Sequence, residues 1–393
     1  MRAICEFIIP RWSGFSFELS RGGADSQFTV MKARSSKKQL SNRRLTSARH
    51  NRAKKPAPRP TAERLMQFAW GFAPTFILNS AVELRLFDYL ENGPRTVEQL
   101  ANETQCSARG LTALLDALVG FQFLRRKGNA YALTPETSTF LVSTKPDYHG
   151  GFFRQVTGQV MPDWMDLTEA VRTGQPAKKV NEQEGGAEFF AELVEGIFPM
   201  SYRAAEALGR HLQIGKLSEP VTVLDIGAGS GVWGIALAQQ SPHVSIVAVD
   251  WPKVLEVTRR IVERHGLGQG FRTSPGDFRQ ADFGSGHRLA TIVHILHSEG
   301  RERSRQLLQK VFDALSPGGT VAIAEFIPNE DRTGPPNALM FAVNMLLHTT
   351  EGDTFTFGEI SAWLREAGFR NVRLLEAPAP SPLVLATKPR FRH

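Results

Sequence analysis

The stretch VLDIGAGSGVWG, residues 223–234, runs a short apolar segment into three glycines at alternate positions. The apolar run reads as a buried strand, and VWGIALAQQ after it as a helix. Gly227, Gly229 and Gly231 allow a sharp turn between the two and let the backbone approach a ligand closely. The helix N-terminus points its free N–H groups into the same space. Residues 229–234 also satisfy GxGxxG, and Asp250 stands 21 residues after Gly229. There it can accept hydrogen bonds from both hydroxyls of a ribose. This pattern fits a nicotinamide dinucleotide or another adenosine ligand equally well.

Outward from that turn, strand-like and helix-like segments alternate. VSIVAV, LATIVHIL and TVAIAEFI read as strands; PKVLEVTRRIVERHG, RERSRQLLQKVFDAL and FTFGEISAWLREAGF read as helices; VRLLEAP and PLVLATK read as two last strands. Continuous apolar strands alternating with helices predict an α/β fold, a doubly wound Rossmann-like sheet over 216–390 covered on both faces. Residues 151–215 read as connecting helices.

The net charge of +8 is unevenly spread. Residues 1–60 hold 14 Lys and Arg against three acids, so the rest of the chain carries −3. The segment is Ser-rich, poor in aromatics and ends in prolines, which predicts a disordered basic tail. Met31 is a candidate start for the chain. Two cysteines, Cys5 and Cys106, exclude a disulfide framework and a CxxC metal site and point to a reducing, cytoplasmic compartment. No metal is expected. No uninterrupted run of 18 apolar residues exists, so no membrane span is expected.

Residues 61–150 read as a mostly helical module. Thr61 is a candidate N-cap for the first helix, Thr96 opens a second, and Ser107 caps a third that is apolar at Leu111, Leu114, Leu115, Leu118 and Val119. Two short strands around Lys127-Gly128-Asn129 complete a winged helix. That motif raises DNA binding. The helix from 110 to 121 has no Lys or Arg and carries Asp116, which argues against nucleic acid as a partner and for packing against a partner subunit.

Two features separate the candidate ligands. Asp225 lies two residues before Gly227, where a dehydrogenase normally has an apolar residue. GDF at 276–278 follows a short strand, so that Asp277 can accept from an adenine amino group. The motifs VLDIGAGSG, VDWPKVLE, GDF, ILH, LSPGGTVAIAEFI and WLREAGF, in this order, resemble the S-adenosylmethionine-dependent O-methyltransferases of the plant-phenolic and microbial-polyketide type. The winged-helix module and FPMSYRAAEAL extend the resemblance over about 65–390.

The resemblance implies a homodimer that takes S-adenosylmethionine and a small aromatic or polyketide-like acceptor. It implies that Gly227 and its loop, with Gly229 and Gly231, hold the donor's methionine part, Asp250 its ribose, and Asp277 and Phe278 its adenine, with Trp251 against the adenine face and Asp225 among the cofactor-binding residues. His297, in Ile295-Leu296-His297, matches the family's proton acceptor, and Glu325 one of two glutamates that flank it. The second falls near Thr354 and is missing, and Ser-Glu-Gly-Arg follows the histidine where the plant pattern has Asp-Trp-Ser-Asp. Met200, Phe341, Asn344 and Met345 are expected to line the acceptor pocket. His294 is read as a strand residue with no role in catalysis. Carbon methylation, a dehydrogenase and a winged-helix regulator are the alternatives.

Overall fold

The protein, seen in a computed structural model, is described over residues 61–180, 183–378 and 381–390. The expected tail at 1–60 lies outside the described residues. The described residues fall into two units, divided between Ala73 and Pro74. In the first, α1 (Glu63–Ala69) starts at Ala62, whose methyl group cannot cap, so Thr61 is not the N-cap. Its side chains Leu65 and Phe68 are 72% and 73% exposed.

The second unit holds all but the first residue of α2 (Ala73–Glu83), then β1 (Arg95–Thr96), α3 (Val97–Thr104), α4 (Ala108–Gly120), β2 (Leu124–Lys127) and β3 (Ala130–Leu133). Thr96 closes a reciprocal cap with Gln99, and the Ser107 hydroxyl accepts from the Gly110 N–H, as read from sequence. The strands pair antiparallel in the order β1-β3-β2, which makes the wing. One expectation needs correcting. The apolar face of α4 does not await a partner subunit: Leu111, Leu115 and Leu118 pack with Leu78, Phe87, Leu100, Leu124 and Tyr131 in the module's own core. Asp116 accepts from Tyr131 Oη and Arg126 Nη1, both at 2.6 Å, which ties α4 to the wing.

After α5 (Gln183–Gly196) and α6 (Phe198–His211) comes the large sheet. Its strands are β4 (Val221–Ile226), β5 (Val244–Asp250), β6 (Phe271–Pro275), β7 (His287–Val293), β8 (Leu315–Ala324), β9 (Arg370–Leu375) and β10 (Leu383–Thr387). Their order is β6-β5-β4-β7-β8-β10-β9, parallel except for β10, which runs antiparallel to both neighbours. The crossover helices are α7 (Val232–Ala238), α8 (Pro252–Arg264) and α9 (Leu296–Ala314), followed by α10 (Pro336–His348) and α11 (Phe357–Glu366). The two faces bury separate cores, one of Leu307, Leu308, Ile360 and Phe369, the other of Ala204, Leu208, Trp233 and Leu237. Strand order reverses across β4 and β7, and open α/β sheets bind ligands outside the carboxyl ends of strands at such a point.

One strand differs from its sequence reading. β7 stops at Val293, and His294 turns into the left-handed region at φ 55°. The helix expected from Arg301 begins five residues earlier, at Leu296, and bends at Gly300 (φ 74°). His297 therefore sits in a helical first turn.

Candidate active site

The glycine loop leaves β4 at the centre of the sheet. The N–H groups of Gly227 and Ala228 donate to the Val249 carbonyl at 2.9 and 3.1 Å, which holds the loop against the end of β5. Gly227 (φ 63°) and Gly229 (φ 56°) both adopt the left-handed backbone. A Cβ on Gly227 would collide with the Ile295 side chain, and one on Gly229 would stand 3.1 Å from Val194 of α5. Side chains are thus excluded on conformational and on steric grounds.

Two carboxylates brace this loop. Asp225 lies opposite Thr291 in the β4–β7 register, accepts from the Thr291 hydroxyl at 2.6 Å, and accepts from the Gly234 N–H of α7 at 3.2 Å. It is 2% exposed, and burial pushes its carboxyl up to about 7 against those hydrogen bonds. Asp250 ends β5. One oxygen accepts from the Gly229 N–H at 2.8 Å and the other from its neighbour's Trp251 N–H at 2.7 Å. Burial likewise raises it, to about 6. Each oxygen keeps a second lone pair for a ligand hydroxyl.

Trp251 packs under α5, with its ring 5.9 Å from Phe190 and with Gly186 so close that a Cβ there would strike the indole. Ion pairs from Lys253 to Glu188 (2.6 Å) and from Arg264 to Glu195 (2.8 Å) fasten α5 to α8 above it. Asp277 stands apart from these groups in the turn after β6. Burial favours its neutral form, but hydrogen bonds from the backbone and guanidinium of Arg279 outweigh this and hold it below the usual carboxylate range. Phe278 packs on the core beside it. Sequence reading passed over Lys310, whose ammonium donates to the carbonyls of Phe278 and Ala281 at 2.7 Å each and pins that turn. These carbonyls converge on one ammonium only once the turn is folded.

The register of β7 and β8 explains how His297 meets Glu325. Val293 pairs with Ala324, so the segment after β7 and the residue after β8 emerge side by side. His297 Nδ1 lies 2.7 Å from Glu325 Oε2, and the His297 N–H donates to Oε1 at 3.4 Å. The two residues are 6% and 2% exposed. Burial alone would raise the Glu325 carboxyl; attraction and hydrogen bonding from His297 outweigh it and hold it low. An ionised carboxylate only accepts, so Nδ1 carries a proton, and in the neutral ring Nε2 then keeps its lone pair. Among the described residues Nε2 has no hydrogen-bond partner. One carboxylate orients the ring, as the missing second glutamate implied; Thr354, at that place, is a buried hydroxyl.

Phe341 meets the His297 ring edge-to-face at 4.8 Å, and Phe326, which sequence reading missed, lies 4.3 Å from Phe341. The other expected acceptor residues divide. The Asn344 side-chain oxygen accepts from Trp164 Nε1 at 3.1 Å, which leaves its NH₂. Met345 is 4% exposed and so a core residue, while Met200 is half-buried in the first turn of α6. Glu299, two residues after His297, is 5% exposed; burial pushes it up to about 7, with Arg303 at 3.8 Å opposing.

Comparison with known proteins agrees with this geometry. Residues 164–370 match an O-methyltransferase domain, and residues 66–143 an O-methyltransferase dimerisation domain. The 3-hydroxy-5-methyl-1-naphthoate 3-O-methyltransferase of Streptomyces sahachiroi is 32% identical over 80% of this chain and 92% of its own. The tetracenomycin polyketide synthesis 8-O-methyl transferase TcmO of Streptomyces glaucescens is 30% identical over 83% and 96%. Human N-acetylserotonin methyltransferase, solved in complex with S-adenosylmethionine, shares the fold with a TM-score of 0.73 at 24% identity, over 85% of this chain and all of its own. The chain therefore belongs to the O-methyltransferase family and is an S-adenosylmethionine-dependent O-methyltransferase with an N-terminal dimerisation domain.

Proposed function

We propose that this enzyme methylates a hydroxyl of a small aromatic or polyketide-like acceptor, with His297 as the proton acceptor and Glu325 as its positioning residue. The observation that carries this reading is the buried 2.7 Å contact between His297 Nδ1 and Glu325. The aromatic side chain against the His297 ring and the acceptors named for the two bacterial relatives support the acceptor class.

The residues around the glycine loop fit the donor. Asp250 has lone pairs left for two ribose hydroxyls, Asp277 and Phe278 would meet adenine, and Gly227, Gly229 and Gly231 would let the methionine part approach, with Asp225 bracing them from behind. S-adenosylmethionine, when bound, supplies an electrophilic methyl group on a sulfonium. The chain's own task is to present a nucleophile. A phenol, with a pKa of about 10, is mostly protonated at neutral pH. His297 Nε2 would take that proton as the oxygen–methyl bond forms and the sulfur–methyl bond breaks to leave the neutral thioether, and the Glu325 carboxylate would stabilise the imidazolium that results. Such general-base assistance is worth about 10²–10⁴-fold. Holding acceptor and donor in line contributes as much again or more.

We infer a homodimer through the N-terminal module, supported by its match to a dimerisation domain and by the exposed apolar face of α1. Among the described residues no helix is long and apolar enough to cross a membrane; the cytoplasmic reading rests on the cysteine content. The test is methyl transfer from labelled donor across a panel of hydroxy-aromatics, their O-methyl ethers and their deoxy analogues. Transfer to the free hydroxyls alone is expected; transfer to ring carbon of the ethers would contradict it.

A further inference from the structure

The bend after β7 holds a second histidine that the reaction above does not use. His294 adopts φ 55°, an unfavourable backbone for a residue with a Cβ. Its N–H donates to the Ala324 carbonyl at 2.9 Å, which fixes the bend beside Glu325. The imidazole lies between Phe326 and His297, with ring centroids 4.9 and 5.9 Å away. Nε2 reaches Ser381 Oγ at 3.4 Å, whereas Nδ1 is buried with no hydrogen-bond partner among the described residues. A buried, unpaired nitrogen held by a strained backbone calls for a ligand.

The neighbours indicate which ligand. One ligand atom each from His294, His297 and Glu325 can be chosen so that all three lie within 4.8 Å of one another. A point between atoms so spaced is at most about 2.8 Å from each. Side-chain adjustment of under an ångström brings this to the ~2.0–2.2 Å of metal–nitrogen and metal–oxygen bonds. Two imidazoles and one carboxylate suit a transition-metal ion; Mg²⁺ and Ca²⁺ take sites of six or more oxygens. Because Nδ1 is buried, a ring-sized acceptor reaches it only by repacking, while a single ion needs only the gap between the three side chains.

We propose that His294, His297 and Glu325 form a site for one divalent transition-metal ion, represented by Zn²⁺, whose occupation competes with methyl transfer. The competition rests on the reading of His297 as the base: the ion takes the imidazole lone pair, and the acceptor hydroxyl keeps its proton. His294 is the member of the set outside the methyl-transfer machinery, so it separates metal binding from catalysis.

The test uses the metal-free full chain. Titration with Co²⁺ should give visible ligand-field bands at one ion per chain, and Zn²⁺ should abolish them. Zn²⁺ should inhibit methyl transfer in competition with the acceptor and not with the donor. His294→Asn, which tolerates the left-handed backbone, should lose the bands and raise the Zn²⁺ concentration for half-inhibition at least about tenfold, since losing even an outer partner of a metal ligand costs ~10–100-fold. Unchanged bands and unchanged Zn²⁺ sensitivity in His294→Asn, or no ion bound by the wild type, would overturn the site. Bands lost in His294→Asn while Zn²⁺ leaves wild-type turnover intact would uphold the site and overturn His297 as the base. If His294→Asn does not fold, loss or survival of the bands in Glu325→Gln decides the site in the same way.

Discussion

His297 and Glu325 are joined twice, through Nδ1 to Oε2 at 2.7 Å and through the backbone N–H to Oε1 at 3.4 Å. One carboxylate thus fixes both where the imidazole stands and which nitrogen carries its proton. Replacing Glu325 with Gln keeps the shape and removes the charge. An amide can accept from Nδ1, but it can also donate to it and leave the proton on Nε2. Turnover should fall about 10²–10⁴-fold, as expected when a base loses its orienting carboxylate. Donor affinity should stay within about threefold, because Asp250 and the glycine loop are untouched. Steady-state kinetics with calorimetric titration of S-adenosylhomocysteine checks the split; equal loss in both would make Glu325 a structural residue.

Donor binding should depend on pH through Asp250. Burial raises this carboxyl from 3.8 to about 6. Raised in the folded chain, it costs stability as pH climbs from about 4 through 6, where the folded protein ionises a buried group. Two ribose hydroxyls require the ionised form, so ligand binding releases the proton. Affinity for S-adenosylhomocysteine should therefore weaken towards tenfold per pH unit below about 6 and level off above it. Asp250→Ala should cost about 2–4 kcal/mol of binding at pH 7.5 and flatten the profile. An unaltered profile in that variant would assign the proton to another group, with Asp225 the first candidate.

Gly227 tests the donor loop from the backbone side. Alanine there must hold φ near 63° and push the Ile295 side chain aside. Thermal unfolding should report a loss of about 1–3 kcal/mol, and donor affinity should fall with it. Because Ile295 precedes the turn that carries His297, the proposed base, turnover should fall further than saturation with donor can restore. Full recovery at saturating donor would confine the effect to binding.

Assembly through α1 predicts a simple disruption. Phe68 is 73% exposed on an apolar helix, so Phe68→Glu should leave the fold intact and shift sedimentation towards monomer. A dimer of unchanged affinity would move the interface elsewhere in the 66–143 domain.

Much of this was legible in the sequence, for physical reasons. A Gly227-Gly229-Gly231 turn after an apolar strand has few other folds open to it, and the acid 21 residues on falls at the end of the neighbouring strand. The wing hairpin and the caps at Thr96 and Ser107 followed from local chemistry in the same way. The end of β7 was not legible, because Val293, His294 and Ile295 continue an apolar run and nothing local marks the left-handed residue. That Asp225 braces the glycine loop was not legible, because its partners, Thr291 and Gly234, come from other elements. The face of α4 was given to a partner subunit because an apolar stripe looks the same whether it packs within the module or across an interface. Phe326 and Lys310 acquire their places only through the register of β8 and the folded turn after β6.

The central claim is that His297 removes the acceptor proton, and the pH dependence of His297→Gln tests it most directly. With a phenolic acceptor, turnover at pH 7 should fall about 10²–10⁴-fold, while S-adenosylhomocysteine binding stays near that of the wild type. Raising the pH towards the acceptor's own pKa of about 10 should recover a growing share of the lost rate, because the phenol then ionises without help. Normal turnover of the variant at pH 7 would contradict the claim, and so would a full loss that no increase in pH relieves.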